Sequence, residues 1–144
     1  MIHDFYQVLA DNQAIGTTGA TSEHVIDVGE VPVRKGGHPR PLWFEIVVTT
    51  TVVGGAARFL NVVIQNAATA TGTYKTILSG PPIKSADLVE GTVLRIPMPM
   101  FGLDDDDDLI ENGVNRALRV QWSQSGGGDV NWTAGNLHIA LVGG

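Results

Sequence analysis

Four runs of this chain alternate apolar and wetter residues with a period of two, and no other feature of the sequence narrows the fold as much. Leu42, Phe44, Ile46 and Val48 alternate with Trp43, Glu45, Val47 and Thr49. Leu60, Val62 and Ile64 alternate with Asn61, Val63 and Gln65. Leu118, Val120 and Trp122 alternate with Arg119, Gln121 and Ser123, and Leu137, Ile139 and Leu141 with Asn136, His138 and Ala140. Successive side chains of an extended strand point to opposite faces, so each run buries one face and wets the other. Val25–Val28, Tyr74–Leu78 and Val93–Ile96 are weaker strand candidates. No long window carries a helical period, and Ser85-Ala86-Asp87-Leu88-Val89 makes at most one helical turn.

Turn chemistry separates the runs. Gly54-Gly55 between two apolar stretches predicts a hairpin turn. Ser79-Gly80-Pro81-Pro82 is a strong breaker, and Asn112-Gly113 and Gly126-Gly127-Gly128-Asp129 are further turns. About eight short strands at this spacing, with Gly/Pro turns between them, predict an all-β sandwich or barrel. The first residues read differently. Phe5-Tyr6-Gln7-Val8-Leu9-Ala10 is apolar, but Asp11 to Ser22 is small and polar. The expectation is an extended N-terminal arm over residues 1–20, outside the core, and one β-sandwich domain over 21–144. An arm of this kind can add to a sheet edge of a neighbouring subunit.

Size and charge exclude several classes. A chain of 144 residues buries a core without covalent staples. The absence of cysteine removes disulfide scaffolds, thiolate catalysis and cysteine-bound zinc. A net charge of −6 argues against a nucleic-acid reader, and Arg34, Lys35 and Arg40 form the only loose basic cluster. The N-terminus does not read as a signal peptide, and no run is as long and apolar as a membrane span, so the expectation is a soluble chain made in the cytoplasm of its producing cell.

Few residues carry chemistry. The aspartates Asp104, Asp105, Asp106, Asp107 and Asp108 admit a Ca²⁺ site, but consecutive carboxylates converge poorly on one ion and lack the spacing of an EF-hand. A solvated, self-repelling loop is the preferred reading, and an acidic prong facing a basic partner is a third. His3, His24, His38 and His138 are dispersed, with no His-x-His pair, so no metal or cofactor is expected. No nucleophile elbow, zinc-protease helix or phosphate loop occurs. Trp122 sits on an apolar strand face and belongs to the core. Trp43 points away from Leu42 and Phe44 and is the better exposed contact. Trp43 or Trp132 would supply the platform of a carbohydrate-binding, Ca²⁺-dependent jelly roll, the competing function. A small β-sandwich hydrolase is a third class, with no motif behind it.

A series of short motifs also matters by its order: Met1-Ile2 and Asp4, Leu9-Ala10-Asp11-Asn12-Gln13-Ala14, Val25-Ile26-Asp27-Val28-Gly29 and Pro41-Leu42-Trp43-Phe44. After these come Leu60-Asn61-Val62-Val63-Ile64-Gln65, Ala86-Asp87-Leu88-Val89-Glu90-Gly91-Thr92, Arg116-Ala117-Leu118-Arg119-Val120, Gly135-Asn136-Leu137 and Ala140-Leu141-Val142. In this series the chain resembles the capsid cement (decoration) proteins of tailed bacteriophages, in the family typified by a Bordetella podophage. Glu30–Arg40 and Phe101–Gly113 are longer than the family pattern. The resemblance implies a jelly-roll-like β-sandwich without catalysis or cofactor. It implies homo-oligomers, dimer or trimer, bound to the major capsid protein on the outer surface of the virion head, with no nucleic-acid or membrane partner. Phe5, Tyr6 and Leu9 are then candidate apolar anchors. Trp43 is a candidate contact, Arg34, Lys35 and Arg40 would meet acidic shell surface, and Asp104–Asp108 would meet basic surface.

Overall fold

The computed structural model describes residues 8–27, 42–55, 57–67, 69–97, 117–126 and 131–143. Ten strands lie among them. β1 is Val8–Ala14, β2 Gly19–Thr21, β3 Ile26–Asp27, β4 Leu42–Val53 and β5 Phe59–Ala67. β6 is Lys75–Ser79, β7 Ile83–Lys84, β8 Val93–Pro97, β9 Ala117–Ser125 and β10 Ala134–Gly143. The one helical turn among the described residues is a 3₁₀ turn at Ser85–Asp87. No helix among the described residues is long and apolar enough to cross a membrane.

The strands form two antiparallel sheets. Sheet A has the order β1-β10-β4-β8, and sheet B the order β2-β9-β5-β6, with β3 also pairing β9 and β7 also pairing β5. Taking β2 with β3 as one limb and β6 with β7 as another leaves eight limbs whose pairings nest. The first limb pairs the last (β1 with β10) and the second the seventh (β2 and β3 with β9). The third pairs the sixth (β4 with β8), and the fourth the fifth (β5 with β6 and β7). A long antiparallel ribbon wound on itself in this way is a jelly roll, and the β10–β4 and β5–β9 ladders complete its sheets.

The period-two runs supply the core. Phe44, Ile46 and Val48 of β4 and Leu137, Ile139 and Leu141 of β10 face Leu60, Val62 and Ile64 of β5 and Leu118, Val120 and Trp122 of β9, all buried in one cluster. Trp132 joins this core. It is 1% exposed, and its indole N–H donates to Ser85 Oγ at 2.9 Å. That position removes it as a surface platform for sugar.

The structure corrects two expectations. Gly54-Gly55 does not make a hairpin. Both edges of β4 are already taken, by β10 and β8, so the chain leaves sheet A and enters sheet B as β5. The two glycines make the turn with positive φ, and a Cβ at Gly54 would lie 2.5 Å from the Asn131 carbonyl oxygen.

Residues 8–20 are not an arm outside the core. β1 is an edge strand of sheet A, β2 an edge of sheet B, and Leu9, Ala10 and Ile15 are buried in the core. The small polar stretch that reads as linker works as a set of fasteners. Register shifts interrupt β1 between Val8 and Ala10 and again before Gln13, and Asn12 has a φ of 52°. Irregular backbone needs other partners for its polar groups. Asn136 Nδ2 donates to the Asn12 carbonyl at 3.0 Å, and Gln13 Nε2 donates to the Thr21 carbonyl at 2.8 Å. The Glu23 amide donates to Gln13 Oε1, and the Asp11 amide to Glu23 Oε1. Inside, Trp122 Nε1 donates to the Ile15 carbonyl at 2.8 Å, and Ser22 Oγ accepts from the Val120 amide. Removing residues 1–20 therefore takes a strand from each sheet.

Leu9→Ala is expected to cost about 2–5 kcal/mol in chemical denaturation, as for a buried core leucine. A loss within about 0.5 kcal/mol, the range of surface substitutions, would contradict the placement of β1.

Candidate functional site

The connections fall unequally on the two ends of the sandwich. At one end, residues 15–18 join β1 to β2 and residues 54–58 join β4 to β5. There the Thr133 amide donates to the Val53 carbonyl, and the Ser85 amide donates to the Arg58 carbonyl. Asp27, Leu42, Pro97 and Ala117, which flank 28–41 and 98–116, lie at the opposite end, together with Val8 and Gly143. The β5–β6 turn lies at this end too, since Asn66 pairs with Lys75 and Ala67 with Ala117.

Most residues singled out from the sequence as contacts lie outside the described residues: Phe5, Tyr6, Arg34, Lys35, Arg40 and Asp104–Asp108. Leu9 is fully buried, so it is core and not a surface anchor. Trp43 lies on the outward face of β4, half-buried, opposite Pro97 of β8 and Val142 of β10.

The outward face of sheet A mixes apolar and charged groups. Arg95 Nη2 lies 2.9 Å from Glu45 Oε2, with Val47 and Val93 as the adjacent pair. His138 Nδ1 is 3.4 Å from Asp11 Oδ1 across the β1–β10 ladder. Ala140 and Val142 also fall on this face, yet both are buried, flanked by Val8 and Trp43. Among the described residues no three His, Cys, Asp or Glu side chains gather as a metal site.

The outward face of sheet B carries the most organised polar cluster. Gln65 of β5 is opposite Arg119 of β9, and Val63 is opposite Gln121. Arg119 Nε donates to Gln65 Oε1 at 2.8 Å, and Gln65 Nε2 donates to Gln121 Oε1 at 3.0 Å. Gln65 Nε2 is also 3.4 Å from Thr76 Oγ1. The Arg119 guanidinium stacks on the Tyr74 ring, 3.8 Å from its centroid, and the Tyr74 hydroxyl donates to the Ala70 carbonyl at 2.7 Å. Gln65 is only 8% exposed, so the network is packed as well as hydrogen-bonded. Its members come from β5, β9, β6 and the turn before β6. The sequence shows only that Gln65, Arg119 and Gln121 take outward strand positions.

The described residues define an all-β jelly-roll sandwich with an apolar core between its two sheets. The chain belongs to the Bbp16 family, whose model matches residues 9–141, from β1 to β10. No curated protein matches the chain.

Burial raises the Tyr74 phenol above its ordinary value, and the Arg119 guanidinium against the ring offsets part of that rise. The folded protein thus holds this proton more tightly than the unfolded chain, and its contribution to stability is lost as pH rises past about 10. In a Tyr6→Phe background, Arg119→Gln is expected to move the Tyr74 titration to higher pH, read by tyrosinate absorbance. An unchanged or lower midpoint would show that the guanidinium does not act on the phenol.

Proposed function

We propose that this chain is a structural capsid cement protein: it binds the outer surface of a tailed-phage head across seams between major capsid protein subunits and stabilises the mature shell against internal DNA pressure. The observation that carries the reading is the match to the Bbp16 family over residues 9–141. The family name points to a Bordetella phage protein, and the motif series of the sequence resembles cement proteins of that source.

The physical logic fits a rigid jelly roll. A protein that binds the assembled shell and not its separated subunits stabilises the shell by mass action. Repeated sites on a symmetric shell favour a cyclic homo-oligomer, dimer or trimer, and linked copies add avidity without new contacts. Such a protein holds its partners together and needs no catalysis, cofactor, nucleic acid or membrane. The described strand ends that flank 28–41 and 98–116 lie at one end of the sandwich. The carbohydrate-binding alternative has less support, since Trp132 is interior.

Quantitative mass spectrometry of gradient-purified particles from the source tests the proposal. The expected result is a fixed stoichiometry with the major shell protein, on the order of hundreds of copies per particle for a multivalent coat. Absence, or only a few copies, would overturn it.

A further inference from the structure

The two described arginines on outward sheet faces are held differently. Arg95 on sheet A is paired with the Glu45 carboxylate. Arg119 on sheet B has no carboxylate partner among the described residues. It is nevertheless held from two sides. One face of its guanidinium rests on Tyr74, and its Nε–H is spent on Gln65. Gln65 is in turn fixed by Gln121, and Tyr74 by the Ala70 carbonyl.

Arginine has five N–H donors, and this geometry uses one. The four on the Nη1 and Nη2 nitrogens donate to none of the described residues. Those two nitrogens form the planar fork that matches the two oxygens of a carboxylate. Fixing a long side chain costs rotamer entropy, and here no ion pair offsets it within the described chain. The same fixing would lower the entropy lost on binding, because the fork is already oriented. Arginine and tyrosine are also enriched where binding energy concentrates in protein interfaces.

We propose that the outward face of sheet B is a docking surface for a partner protein that presents a carboxylate side chain, received by the Nη fork of Arg119. The occupant follows from local charge complementarity: a positioned cation with no carboxylate partner among the described residues selects an anionic group from outside. Tyr74 and Gln65 act as positioning residues, while Arg119 makes the contact. The proposal does not depend on the partner being a phage shell, so it can fail or hold separately from the cement reading.

The test is an NMR titration of the full chain with blocked Glu-Glu dipeptide, blocked Gln-Gln dipeptide and maltotriose. It follows the Arg119 Nε–H and the side-chain amides of Gln65 and Gln121. Glu-Glu is expected to shift these signals saturably, with Gln-Gln far weaker. Arg119→Gln is expected to reduce Glu-Glu affinity by about tenfold or more, as for loss of a charged hydrogen-bonded pair. Arg119→Lys, which keeps the charge and loses the fork, should fall between. A structural role alone would lower the melting temperature of the variants and leave the wild-type chain indifferent to Glu-Glu. No saturable shift, equal shifts with Gln-Gln, or a response to maltotriose in place of Glu-Glu would each overturn the proposal.

Discussion

Sheet A depends on the double pairing of its last strand. β10 lies between β1 and β4, so residues 134–143 satisfy the backbone of both the first strand and the first long strand. Without β10, β1 has no neighbour among the described strands and β4 loses one of its two ladders. The inner face of β10 carries Leu137, Ile139 and Leu141 into the core, and its outward Ala140 and Val142 are buried as well. Closure therefore waits on contacts between residues far apart in sequence, the kind of topology that folds slowly and then holds as a unit.

That closure separates the molecule into regions with different work. Trp122 and Trp132 lie in the core with each indole N–H satisfied, so neither large aromatic is offered to a ligand. Short connections with backbone hydrogen bonds lock one end. The flanks of 28–41 and 98–116 lie at the other end. The outward faces carry Glu45 with Arg95 among apolar neighbours on one sheet, and the amide network around Arg119 on the other.

Much of the fold was legible because its central strands keep an unbroken period of two. β4, β5, β9 and β10 follow the alternation of Phe44-Ile46-Val48, Leu60-Val62-Ile64, Leu118-Val120-Trp122 and Leu137-Ile139-Leu141. β1 was not legible for a physical reason. Its register shifts put adjacent Leu9 and Ala10 both inside, which destroys the alternation that identifies a strand. Gly54-Gly55 signalled a turn correctly but not its partner, since strand pairing depends on edges that distant residues already occupy. The Arg119 network was hidden for the same reason. Each member is an ordinary outward residue on its own strand, and only the register of β5 against β9 and β6 brings them together.

The central functional claim is that this jelly roll holds a mature shell together under load, and heads made without it measure that most directly. DNA release on heating should begin at a lower temperature in heads lacking the chain and return to the normal temperature when purified protein is added back. An identical release temperature with and without it would contradict a cement role, whatever its abundance on the particle.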